Sequence, residues 1–238
     1  MGLFTESLNK LFMYLQQTRE KGRLQEHIHE CPAAWPEKRS LVLQEDTAVE
    51  LGSEKGSLFM IAWTQEGDLL HNGRVSILGE DIAGAGERKM PLGQIVLVCG
   101  QFADEYETYR DLLDVVFDTR PEGVSLRVWP DQQKIWCRVS KEALEGGFTL
   151  QGYGAALINN MTSQPFVEAA EVIFITGEED LEQLKPLSDK VGSVLEALVK
   201  MYEEMDFDCD NCDYNEICEE VERLRQIRES LRKERDEA

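Results

Sequence analysis

Apolar residues recur at helical spacing in the opening stretch. Leu3, Phe4, Leu8, Leu11, Phe12 and Leu15 fall three or four residues apart, which predicts a helix from residue 3 to about 30 with one buried stripe. Pro32 and Pro36 would then halt it. From residue 40 to 100 the period changes. Residues 41–43, 48–51, 58–63, 75–78 and 95–99 are short apolar or alternating runs, cut by Gly52, Gly56, Asn72-Gly73 and the glycines at 84 and 86. That pattern predicts strands. A helix follows over about 104–117, with Tyr106, Tyr109, Leu112, Leu113 and Val116 inward. Two strands come next, at 125–128 and 135–139, around the Pro130-Asp131 turn. Ser140 reads as the N-cap of a short helix ended by Gly146-Gly147. A helix at 153–161, a buried strand at 171–176 and a long helix from 178 to about 205 with Pro186 inside it follow. The last element is a charged helix from 216 to about 237, with a narrow Val221, Leu224, Ile227, Leu231 stripe. That stripe fits a helix lying on the body or a short coiled-coil contact.

Helices and strands in this mixture predict an α/β, more broadly mixed α+β, class. Three segments are expected: an N-terminal helical segment at 1–39, a central domain at 40–205, and a metal-binding turn with its helix at 206–238. At 238 residues the chain can bury a sizeable core.

Charge narrows the partners. Forty-six acidic against 25 basic residues give −21 at pH 7, which opposes nucleic acid and anionic membrane surfaces, both bound through Lys and Arg. No apolar run reaches the roughly 18 residues of a membrane span. Glu6 breaks the myristoylation pattern after Gly2. A cytoplasmic, reducing setting is expected, where clustered thiols hold metal more readily than they pair.

Three of the six cysteines, Cys209, Cys212 and Cys218, fall within ten residues as C-x2-C-x5-C. A C-x2-C turn converges two thiolates on one soft metal, and the third arrives from the next helix. Zinc and an iron–sulfur cluster both fit, and either a fourth ligand comes from elsewhere or the site keeps an open position. His27, His29 and Cys31 lie within five residues; they read either as ligands or as a polar helix end. Cys99 ends an apolar run and reads as a core thiol. Phosphate-loop, dinucleotide-binding, nucleophile-elbow and zinc-protease motifs do not occur, and three histidines leave little for a catalytic triad.

Five blocks carry a resemblance. Gly73-Arg74-Val75-Ser76-Ile77-Leu78-Gly79-Glu80-Asp81-Ile82 is the first, and Lys89-Met90-Pro91-Leu92-Gly93-Gln94-Ile95-Val96-Leu97-Val98-Cys99-Gly100 the second. Ile135-Trp136-Cys137-Arg138-Val139-Ser140-Lys141-Glu142-Ala143, Gly147-Phe148-Thr149-Leu150-Gln151-Gly152-Tyr153-Gly154 and Val172-Ile173-Phe174-Ile175-Thr176 complete them. In order and spacing, over roughly residues 45 to 205, they resemble the central domain of acetyl-CoA synthase, the beta subunit of the CO dehydrogenase/acetyl-CoA synthase complex.

The resemblance implies an iron–sulfur protein of CO and one-carbon metabolism with a 4Fe–4S cluster, Cys209 as a ligand and Cys212 as a ligand bridging towards nickel. Cys218 becomes the third ligand, although the family's gap is longer. The downstream C-x-C pair that holds the family's outer nickel does not occur in this sequence, so an accessory or partial subunit is implied rather than a complete nickel site. Partners are expected among the proteins of that complex or of corrinoid methyl transfer. Coenzyme A would meet arginines of the central domain: Arg120, Arg127 and Arg138, with Trp129 and Trp136 beside them. By strand alternation Trp136 and Arg138 should share one face and Cys137 the other; Trp136 as core and Arg138 as a surface charge is the competing reading. The cysteine spacing is also similar to that of iron–sulfur nucleases, in which a distant upstream cysteine completes the site. That gives Cys31 the fourth position, but no nuclease carboxylate–lysine motif accompanies it. A zinc-stapled interaction module is the non-enzymatic alternative.

Overall fold

The computed structural model describes residues 2–29, 41–82, 89–203 and 212–237. Among them the fold is mixed α/β, built on two mixed sheets. The first has five strands in the order β1 (Leu24–Ile28), β4 (Arg74–Leu78), β9 (Val167–Ile175), β6 (Leu92–Gly100) and β3 (Ser57–Thr64). The second orders β5 (Lys89–Met90), β2 (Thr47–Leu51), β8 (Lys134–Ser140) and β7 (Val124–Trp129).

All nine residues of β6 are buried. It is a continuous apolar run rather than an alternating one because both of its faces are covered. It pairs parallel with β3 and antiparallel with β9. On the face carrying Phe174, helix α4 (Leu150–Thr162) lies close, with Tyr153 against the Phe174 ring at 5.7 Å. Gly154 makes that approach possible: a Cβ there would stand 2.8 Å from a Val75 methyl. Helix α2 (Glu105–Asp118) is capped by Asp104, whose carboxylate accepts from the amides of Tyr106 and Glu107. Ser140 caps α3 (Lys141–Glu145) by accepting from Ala143 N–H. The long helix α5 (Glu178–Glu203) runs along β3 with Pro186 inside it.

Three expectations are corrected. The opening helix α1 (Thr5–Glu20) is shorter than its predicted span. Gly22 adopts φ +69° and donates to Arg19 C=O, while Arg23 N–H reaches Thr18 C=O at 3.1 Å. This double closure needs a left-handed residue, which glycine supplies without steric cost. The chain then turns back as β1, antiparallel to β4, so His27 sits on an edge strand rather than at a helix end. Arg19 ties the two elements together by donating through Nε and Nη2 to Glu26.

Residues 41–43 form no strand: Leu41 and Leu43 are exposed, and only Val42 is buried. The predicted last helix is two, α6 (Asn215–Glu220) and α7 (Glu222–Glu237), separated by Val221 in an extended conformation. In one unbroken helix Cys218 and Leu224 would point about 120° apart. The break re-phases them, and both are buried in the common core with Ile227. The apolar stripe therefore lies on the body, against α5.

Candidate functional site: an arginine–tryptophan groove

Strands β7 and β8 form a hairpin turned by Pro130–Gln132, with Gln133 at φ +45°. Their register sets Arg127 opposite Trp136 and Ser125 opposite Arg138. Paired residues share a face, and alternate residues along a strand change face. Leu126, Ile135, Cys137 and Val139 therefore enter the core, while Arg127, Trp129, Trp136 and Arg138 look outward. Burial pushes the Cys137 thiol up to about 12, so it is an inert packing group.

The outward face, the end of α2 and residues 41–42 enclose a groove of about 790 Å³, within the usual range of small-molecule sites. Val42 fastens one wall by donating its N–H to Ser125 Oγ at 2.7 Å. Among the described residues the charged side chains lining the groove are Arg120, Arg127 and Arg138, a local excess of positive charge in a chain of net −21. Arg120 is steered by its Nε–H bond to Phe117 C=O at 2.6 Å.

Trp136 organises the other two arginines. The Arg138 guanidinium carbon lies 5.0 Å from the centre of its ring, and that of Arg127 5.7 Å. Both distances are within cation–π range. Trp136 Nε1–H donates to Glu50 Oε1 at 2.8 Å, and Arg138 Nη2–H reaches the same oxygen at 3.4 Å. Arg138 Nε is buried and has no hydrogen-bond partner among the described residues. Arg127 is exposed, and Arg138 is half-buried with the rest of its guanidinium lining the groove. Trp129 is 37% exposed and offers an open ring. The alternation expected for Trp136, Cys137 and Arg138 is what the fold displays: Cys137 is buried on one face, and Trp136 and Arg138 are half-buried on the other.

The cysteine turn is a second region. Cys212 is half-buried, and its C=O accepts from Asn215 N–H at 3.1 Å, opening α6. Cys218 is buried one turn on. The turn is fastened to α5: Tyr214 donates to Glu196 at 2.9 Å, and Lys200 Nζ lies 5.6 Å from the centre of the Tyr214 ring. Cys209 and Cys31 lie outside the described residues. Among the described residues no group of three or more His, Cys, Asp or Glu is placed to hold a metal. Cys212 and Cys218 are two soft donors from one turn and helix, so a four-ligand centre would need two further ligands. His29 does not join them; its Nε2 lies 3.4 Å from the Gln151 amide nitrogen.

The family resemblance pointed to the three arginines and two tryptophans but not to Glu50. Only the β2–β8 register, with Glu50 opposite Arg138, brings that carboxylate to the groove, and no motif marks it.

Comparison with known proteins gives this two-sheet α+β fold a lineage. The model of the CO dehydrogenase/acetyl-CoA synthase complex beta subunit matches residues 37–181, and the chain belongs to that family. It is 26% identical over 175 residues to the acetyl-CoA decarbonylase/synthase complex subunit beta 1 of Methanosarcina thermophila, covering 70% of this chain and 36% of that protein. It is 27% identical over 144 residues to the carbon monoxide dehydrogenase/acetyl-CoA synthase subunit alpha of Moorella thermoacetica, covering 58% of this chain and 19% of that one. The chain thus spans about a fifth to a third of these relatives. The family match contains the whole groove and stops before the cysteine turn. No described helix is long and apolar enough to cross a membrane.

Proposed function

We propose that this chain is an accessory, acetyl-CoA-synthase-like subunit of CO and one-carbon metabolism that holds the phosphate-bearing end of coenzyme A in the β7–β8 groove. The observation that carries the reading is the convergence of Arg120, Arg127 and Arg138 on one groove of an acidic protein. Guanidinium donors suit phosphate oxygens, and the groove-lining donors of Arg127 and Arg138 give them something to bind. The open Trp129 ring provides a stacking surface for the adenine. Its partners would be proteins of the CO dehydrogenase/acetyl-CoA synthase complex or of corrinoid methyl transfer, in keeping with its family.

The cysteine turn belongs to the same proposal as a soft-metal centre. Cys209, Cys212 and Cys218, with Cys31 as a distant fourth, would hold a 4Fe–4S cluster; a bound cluster supplies one-electron chemistry or simply a cross-link. The burial of Cys218 and the fastening of Tyr214 to α5 favour the cross-link, and with zinc in place of iron the same ligands would staple an interaction module.

Titration of coenzyme A into the full chain, followed by tryptophan fluorescence and calorimetry at low salt, tests the groove. Coenzyme A should bind and quench, 3′-dephospho-coenzyme A should bind more weakly, and pantetheine should not bind. Binding should persist when Cys209, Cys212 and Cys218 are all replaced by serine. Equal binding of all three compounds, or none, overturns the coenzyme A reading.

A further inference from the structure

Trp136 cannot serve as an open stacking surface while two guanidiniums stand over its ring at 5.0 and 5.7 Å. Its place is better understood as a rack for arginines. We propose that Glu50 is the positioning residue of the groove: by holding the Trp136 indole edge, it fixes the ring on which Arg127 and Arg138 are aligned for an anionic ligand. The proposal rests on the groove being the ligand site argued above.

The geometry is specific. One oxygen, Glu50 Oε1, accepts from both Trp136 Nε1–H and Arg138 Nη2–H, so one carboxylate sets the ring and one guanidinium together. Glu50 faces Arg138 across the β2–β8 pairing and Lys89 across the β2–β5 pairing. Its charge therefore has a cation on each side, although Lys89 itself binds Glu54 at 2.5 Å. A carboxylate beside an anion site would by charge alone weaken binding. Its presence is accounted for by orientation. Arginine has a long stem with several rotatable bonds, and a guanidinium already stacked and hydrogen-bonded loses less freedom when a ligand arrives. Arg138 is held through Nη2 and the ring, and its Nε remains without a partner. Among the described residues Arg127 has only the ring, on the strand directly opposite.

Two substitutions at Glu50 separate charge from orientation. Glu50→Gln removes the charge but keeps an oxygen for the indole N–H; Glu50→Leu removes both. In the ligand-free protein, the Trp136 indole N–H resonance, assigned by its loss in Trp136→Phe, should stay protected from exchange in the Gln variant and lose protection in the Leu variant. With inorganic pyrophosphate and coenzyme A as probes, Glu50→Gln should bind about threefold to tenfold more tightly, since a nearby like charge is gone. Glu50→Leu should bind about tenfold more weakly despite the same loss of charge, because the rack is no longer set. Trp136→Phe keeps a ring and loses the N–H. It should weaken binding in the same way, and it serves if the Leu variant does not fold. Matching shifts in the Gln and Leu variants, or unaltered indole protection in Glu50→Leu, would overturn the proposal. If the wild-type chain binds neither probe, the groove reading fails and the proposed alignment for a ligand fails with it. An indole contrast that survives would then leave Glu50 a structural anchor for Trp136 alone.

Discussion

The groove and the cysteine turn are held in place by different physics. The groove is the outer face of a hairpin whose inner face, Leu126, Ile135, Cys137 and Val139, is locked in the core, so its side chains are set by strand register before any ligand arrives. The cysteine turn hangs on α5 by side-chain contacts: Tyr214 on Glu196, Lys190 on Glu220 at 2.6 Å, and the buried Cys218, Leu224 and Ile227. One region is preorganised by sheet geometry, and the other depends on docking. Ligand binding in the groove should therefore be insensitive to changes that loosen the C-terminal helices, and metal at the turn should matter most for those helices.

Metal removal should have the largest effect on this contrast. Protein purified without oxygen is expected to carry about four irons per chain with a broad visible band, as a 4Fe–4S centre requires. Stripping it should abolish most of the hydrogen-exchange protection of residues 215–231 and leave coenzyme A affinity within a factor of about two, because metal-site binding energy is folding energy for the segment it closes. One zinc and no colour would replace the cluster by a staple. No metal would remove the turn from the functional account while leaving the groove untouched.

Next in size is Leu224→Ala, which empties a fully buried position where α7 meets the core. Such truncations cost about 2–5 kcal/mol. Thermal unfolding should show that loss, with the α6–α7 region opening first and groove binding unchanged below the transition. A parallel fall in coenzyme A affinity would mean that the two regions are one cooperative unit, and the comparison would break.

Much of this was legible in the chain, and the misses share a cause. The apolar runs of β3, β6 and β9, the cap Ser140, and the shared face of Trp136 and Arg138 follow from local periodicity and local chemistry. Strand β1 was hidden because its residues, Leu24 to Ile28, carry a mixed polar pattern with an edge strand's exposure; Gly22 was the overlooked stop signal. The break at Val221 has no local breaker residue and is imposed by burial of both Cys218 and Leu224. Glu50 reaches Trp136 across 86 positions of sequence, and no spacing rule spans that distance. The groove was partly readable because most of its members lie on two adjacent strands. Its organiser was not, because it comes from a third.

Arg138→Ala is expected to cost less than the core truncation and to act in the other region. Removing a charge-assisted phosphate donor should weaken coenzyme A by about tenfold to a hundredfold, using about 1.5–3 kcal/mol per such bond. The variant should unfold close to wild type and retain its metal. Arg127→Ala, which removes the more exposed guanidinium, should show the smaller loss. If Arg138→Ala leaves affinity unaltered while Arg120→Ala abolishes it, the ligand sits against α2 rather than on the Trp136 rack.

The smallest expected effect is in the pH dependence of C-terminal docking. Lys10 and then Lys190 hold the Glu6 carboxyl below its usual range, and Arg228 does the same for Glu219. A carboxyl lowered on folding contributes stability that is present above its unfolded value, near 4.5, and is lost as pH falls through the folded one. Lys190 is raised, chiefly by Glu220 and also by Glu6. Its contribution is full below its ordinary value of 10.5 and is lost as pH rises above that. The α1–α5–α6 contacts should therefore hold best between these limits and loosen at both ends. Because the carboxylates of these pairs are exposed and screened, the loosening should be slight and should shrink further in high salt. Exchange protection of α6 and α7, corrected for the intrinsic rate, should fall gradually below about pH 4.5. In Lys190→Met the part of that fall carried by the Glu6–Lys190 pair should disappear, while the part due to Glu219 should remain and Lys10 still holds Glu6 within α1. An acid transition of full size in the double variant Lys190→Met/Arg228→Met would place the acid sensitivity elsewhere, and the C-terminal helices would then be held by their apolar contacts alone.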